Sequence, residues 1–145
     1  MNLEKDLREF VALLNALDVR YLIVGAFAVA YHGYPRFTGD IDIFVERSHE
    51  NARRLLDVIE QFGFGDLNIS AQDFLNEDQV IQLGVAPSRI DILTFLSGVN
   101  FEDAWATRTF GELDGLTVPF ISKELLKRNK EASGRSQDLA DLEHL

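Results

Sequence analysis

A chain of 145 residues, 46% of them hydrophobic and with eleven Phe against three Pro, has apolar material for one folded core and too little length for two. The absence of cysteine excludes disulfides, thiolate catalysis and thiolate metal sites, and suits a reducing compartment. A net charge of −10 repels polyphosphate at long range, so non-specific DNA binding is not expected, whereas a site that collects cations is compatible with it.

The charged N-terminus lacks a signal-peptide apolar core, and the most apolar stretch, residues 21–31, falls well short of the ~20 residues needed to span a bilayer. The expectation is a soluble cytoplasmic protein without membrane contact. Leu3, Leu7, Phe10, Val11, Leu14 and Leu17 recur at three- and four-residue steps, predicting an amphipathic helix over residues 2–17. The run 21–24 is short, apolar and closed by Gly25, which reads as a buried strand. A short helix over 26–31 follows, ended by Gly33-Tyr34-Pro35. Residues 40–45 alternate Asp and Ile before turning wholly apolar, as in a strand whose end opens on a polar cleft. Ser48 then caps a helix over 49–62, stopped by Gly63-Phe64-Gly65.

Between 66 and 78 the periodicity is poor, and only one helical turn over 71–75 is read there. Strands over 80–85 and 89–93 form a hairpin turning at Ala86-Pro87-Ser88. A short helix over 101–106 precedes a second hairpin, 108–113 and 116–120, turning at Asp114-Gly115. Ser122 caps a helix to about 131, and Ser136 caps a last one through 145. Trp105 and the Phe residues read as core. The three His are scattered without metal-ligand spacing. The whole predicts an α/β (α+β) fold over 1–145, with a mixed, mostly antiparallel sheet flanked by helices.

Chemistry concentrates in three acids. Side chains two apart on a strand share a side, so Asp40 and Asp42 present their carboxylates together while Ile41 and Ile43 face the core. Adjacent carboxylates raise one another's proton affinity, which a shared divalent cation relieves. Asp91 sits between Ile90 and Ile92, where a lone carboxylate is costly without a partner or a metal. If its strand lies beside that of Asp40, three carboxylates converge, enough for metal-assisted phosphoryl displacement. Gly25, between strand and helix, lets backbone N–H groups approach an anion, or else is a simple tight turn.

The segments Val24-Gly25-Ala26, Asp40-Ile41-Asp42 and Ile90-Asp91-Ile92 resemble the DNA polymerase β nucleotidyltransferase superfamily. More narrowly, residues 25–36 with Thr38, and Gly134-Arg135-Ser136-Gln137-Asp138-Leu139-Ala140-Asp141-Leu142, are similar to small bacterial nucleotidyltransferases of the AbiEii toxin-like group. The resemblance implies transfer of a nucleoside monophosphate from an NTP to an acceptor hydroxyl on protein, RNA or a small molecule, with release of pyrophosphate. It implies Mg²⁺ or Mn²⁺ held by Asp40, Asp42 and Asp91, with Asp91 also assisting the attacking group, and Gly25 and Ala26 bordering the triphosphate. Ala26 departs from the Gly or Ser usual at that position and forgoes a hydroxyl contact. The alternative is a non-catalytic nucleotide-binding or interaction module, such as one half of a toxin–antitoxin pair, either as a homo-oligomer or with a cognate partner.

Around the trio, Arg36 and Thr38 precede the acidic strand within reach of phosphate. Lys123, Lys127 and Lys130 share one side of a helix, and Lys127 and Lys130 are candidate nucleotide-binding residues lining a groove. Asp138 falls in the first turn of the last helix, where the helix dipole favours it.

Overall fold

The computed structural model describes residues 3–34 and 39–145. Among them, helix α1 (Lys5–Ala16) starts later than residue 2, because the Glu4 carboxylate accepts hydrogen bonds from the Asp6 and Leu7 N–H groups at 2.9 and 3.4 Å and so acts as N-cap. Its apolar face, Leu7, Phe10, Val11 and Leu14, is buried. Strand β1 (Tyr21–Val24) is buried at every position, which explains its unbroken apolar sequence, and runs directly into α2 (Gly25–Tyr31). After β2 (Asp40–Val45), Ser48 caps α3 (His49–Phe62) by accepting from the Asn51 N–H, and Gly63 closes it at φ 106°. The poorly periodic middle holds α4 (Ala71–Leu75), with the Asp73 carboxylate accepting from the Ser70 N–H at 2.8 Å.

Strands β3 (Val80–Leu83) and β4 (Arg89–Leu93) pair as the expected hairpin. Helix α5 (Phe101–Ala106) leads to a second hairpin, β5 (Thr109–Leu113) and β6 (Leu116–Phe120), whose Asp114-Gly115 turn has φ 48° and 83°, the positive pair that two-residue hairpin turns require. The six strands form one sheet in the order β3-β4-β2-β1-β6-β5, with three antiparallel and two parallel neighbour pairs. It is therefore mixed and mostly antiparallel, as the sequence predicts. No helix among the described residues is long and apolar enough to cross a membrane.

Three expectations need correction. Helix α6 (Lys123–Ser133) runs two residues past 131 to Gly134, which is left-handed at φ 66°. Helix α7 (Ser136–Leu142) has Arg135 rather than Ser136 at its N-cap and ends before residue 145, because the last two N–H groups bond three residues back, to Asp141 and Leu142. The aromatic residues are not uniformly core: Phe95 and Phe110 are exposed, and Trp105 is half-buried under the Arg108 guanidinium, 3.9 Å from its ring centroid.

One buried polar side chain ties the layers. Asn51 of α3, 1% exposed, accepts from the Arg20 N–H at 2.8 Å and donates to the carbonyls of Arg20 and Glu46 at 3.0 and 2.9 Å, joining the entrance of β1 to the exit of β2. Asn51→Ala removes the acceptor of the Arg20 N–H and one donor from each carbonyl, that of Arg20 keeping the Glu46 N–H at 3.3 Å, and urea denaturation is expected to show a loss of about 2–4 kcal/mol.

Candidate metal and nucleotide site

The site is assembled at the end of β1 and across β2 and β4. Strands β2 and β4 are parallel and in register, with Asp42 opposite Asp91 and Asp40 opposite Arg89. Because strand side chains alternate, the same register sends Ile41, Ile43, Ile90 and Ile92 into the core at 0% exposure. Asp40, Asp42 and Asp91 each bring a carboxylate oxygen within 4.8 Å of the others.

Gly25 completes the corner. Val24 is the antiparallel partner of Asp42, so the chain turns into α2 against that carboxylate. At φ +65° the position disfavours any side chain, and a Cβ there would sit 2.1 Å from Asp42 Oδ2. The glycine is a spatial requirement of the acid as well as a turn.

The charges are not balanced locally. Burial, then the neighbouring charges of Asp40 and Asp91, push the Asp42 carboxyl up to about 7. Arg89 offsets part of the excess: its Nε and Nη2 donate to the two oxygens of Asp91 at 3.0 and 2.8 Å, and Nη2 lies 3.4 Å from Asp40 Oδ2.

A cleft of about 730 Å³ opens over the trio, with Val24, Gly25, Ala26 and the acids on one side and Lys130, Ser133, Arg135 and Asp138 of the α6–α7 corner on the other. Lys130 is 4% exposed, with Nζ 3.0 Å from Asp138 Oδ1 and 3.2 Å from Asp141 Oδ2. Burial works against ionisation of Asp138, but hydrogen bonds from Arg135, Ser133 and Lys130 prevail and bring it down to about 2. The Lys130 charge in turn favours ionised Asp42.

The structure brings Gly25, Ala26, Asp40, Asp42, Asp91 and Lys130 to one cleft. Lys127, one helical turn from Lys130, is half-buried and is not among the residues lining it. Arg36 and Thr38 lie outside the described residues. Arg89 was not singled out by sequence, although its place two residues before Asp91 on a strand puts both on one side. Asp138 was read only as a helix-dipole residue; its pairing with Lys130, eight residues earlier, crosses a helix boundary and no helical spacing signals it.

The donor set fits a hard divalent cation such as Mg²⁺ or Mn²⁺. It is all oxygen, its atoms are close enough to share one ion, and the raised proton affinity of Asp42 marks an excess of negative charge that a cation relieves.

Among solved structures, the chain is similar to a candidate nucleotidyltransferase from Thermotoga maritima, with TM-score 0.65 and 18% identity over 94% of this chain and 88% of that one. It is also similar to an antigenic nucleotidyltransferase-like protein from Paracoccidioides brasiliensis, with TM-score 0.54 and 18% identity over 98% of this chain and 76% of that one. No family model and no curated protein matches the chain. At this identity the likeness establishes the fold that the chain shares with these two structures.

Two outcomes follow for the metal-free protein. Gly25→Ala places a methyl group on the Asp42 carboxylate at a left-handed backbone position, and is expected to lower stability by about 2–3 kcal/mol in urea titration. Asp42 binds its proton more tightly in the folded chain than in the unfolded one, where the ordinary value is 3.8, so stability is expected to fall as pH rises from there to about 7. Melting curves at pH 5 and pH 8 in EDTA check this; Asp42→Asn, which cannot ionise, is expected to recover about 1–3 kcal/mol at the higher pH.

Proposed function

We propose that this chain is a metal-dependent nucleotidyltransferase of the small bacterial AbiEii toxin-like kind, moving a nucleoside monophosphate from an NTP to an acceptor hydroxyl. The observation that carries the reading is the register of β2 and β4, which sets Asp42 against Asp91 beside Gly25 at the floor of the cleft. In this reading Asp40, Asp42 and Asp91 hold Mg²⁺ or Mn²⁺. When bound, such an ion neutralises triphosphate charge and orients the α-phosphate for in-line attack.

The protein groups do the rest by position. The Gly25 and Ala26 backbone borders the triphosphate, where the missing Cβ of Gly25 leaves room for close approach. Lys130, fixed by Asp138 and Asp141, directs its charge toward the same cleft and favours the ionised, ligating form of Asp42. The acceptor oxygen bonds to the α-phosphorus, the bond to the β-phosphate oxygen breaks, and pyrophosphate departs with its electron pair. The hydroxyl proton passes to a carboxylate of the trio, with Asp91 assisting the attacking group. Arg36 and Thr38 enter the proposal as further phosphate contacts on sequence position alone.

A second reading, a nucleotide-binding or interaction module of a toxin–antitoxin pair, draws on Ala26. It is buried and offers a methyl group where a serine would offer phosphate a hydroxyl. Labelled NTPs, Mg²⁺ and cell extract separate the two: label transferred with release of pyrophosphate supports the enzyme, and NTP binding without release supports the module. Asp42→Asn and Asp91→Asn are each expected to reduce transfer by about 10³-fold or more while leaving a cooperative melting transition. Undiminished transfer in either variant would rule out these acids as the catalytic centre.

A further inference from the structure

Arg89 holds an unusual position relative to the acids. It precedes Asp91 by two residues on β4 and is the register partner of Asp40 on β2, so its side chain shares a sheet face with both. Its contacts with Asp91 form a bidentate fork that engages both carboxylate oxygens, and the same Nη2 reaches toward Asp40. The guanidinium thus draws on oxygens that a cation bound by the trio would need. The side chain is also 39% exposed and lines the cleft, so it has open space beside it.

Guanidinium forks match phosphate as well as they match carboxylate. A divalent ion among Asp40, Asp42 and Asp91 would weaken the hold of those carboxylates on Arg89 by competition and by direct repulsion. A triphosphate arriving with the ion would offer the displaced fork a new set of oxygens a short side-chain rotation away. The geometry points to Arg89 as a placeholder cation, seated on the metal-ligating carboxylates until metal and nucleotide bind and then handed over to the triphosphate. The inference rests on the nucleotidyltransferase reading and deepens it: Arg89 becomes a nucleotide-binding residue that also sets how readily the site accepts a bare ion.

A placeholder and a structural ion pair differ in sign. Removing a structural pair loosens the acids and weakens every ligand, whereas removing a placeholder helps the ion alone and harms the metal–nucleotide complex. Binding of Mn²⁺ without nucleotide, followed by paramagnetic resonance at pH 8, and binding of a non-hydrolysable NTP analogue in saturating Mg²⁺, followed by calorimetry, read the two halves separately. Arg89→Gln is expected to bind Mn²⁺ about ten-fold more tightly than the unaltered chain and the analogue about ten-fold more weakly, the scale of one close charge. Arg89→Lys keeps the charge without the fork and is expected to fall between the two proteins in both measurements; it carries the same comparison if the glutamine variant does not fold. Equal or weaker Mn²⁺ binding by the variants, or analogue binding that is not weakened, overturns the placeholder while metal binding by the unaltered chain leaves the enzyme reading standing. No Mn²⁺ bound by any of the proteins overturns both.

Discussion

The site depends on one constraint, the parallel, in-register pairing of β2 with β4. These strands come from different parts of the chain, separated by α3, α4 and β3, and only their pairing brings Asp91 to the Asp40-Asp42 pair. The alternation of the two strands does the sorting. Every second residue, Ile41, Ile43 and Val45 on one strand and Ile90 and Ile92 on the other, is sealed in the core, so the apolar side fixes which residues must face the cleft and a one-residue slip would bury the acids. Core packing thereby enforces an electrostatic arrangement that is unfavourable by itself. The price appears as the raised proton affinity of Asp42.

Lys130 and Arg89, two of the cations that border that arrangement, are held in opposite ways. Lys130 is sealed between α6 and α7 with carboxylates of its own, Asp138 and Asp141, so its position is set by buried pairs that are costly to open. Arg89 is half-exposed and its partners are the site's own acids. One behaves as part of the wall. The other remains able to exchange partners, which is the physical asymmetry on which a working cleft can be built.

Most of the fold was legible because its signals are local. The hairpin turn at Asp114-Gly115, the Ser48 cap and the unbroken apolar β1 each announce themselves within a few residues. The acidic trio was legible for a mixed reason: Asp40 and Asp42 follow from strand alternation, and Asp91 from the expense of a lone carboxylate in an apolar run. What sequence did not convey was pairing across distance. The register of β2 with β4, the Arg89 fork and the Lys130–Asp138 contact depend on which elements meet, and no spacing rule encodes that. The helix ends erred for a related reason, since Glu4 and Arg135 took capping positions that composition does not favour.

The collision that a Cβ at Gly25 would make has a consequence for how such chains diverge. With 2.1 Å between that absent atom and Asp42 Oδ2, the glycine and the aspartate occupy one volume between them. The dependence runs one way: a larger residue at 25 evicts the acid, while a shorter residue at 42 removes the crowding and leaves only the backbone's preference at 25. Descendants that lose the acid would therefore be recognisable as ordered losses, with position 25 free to drift only after position 42 has yielded.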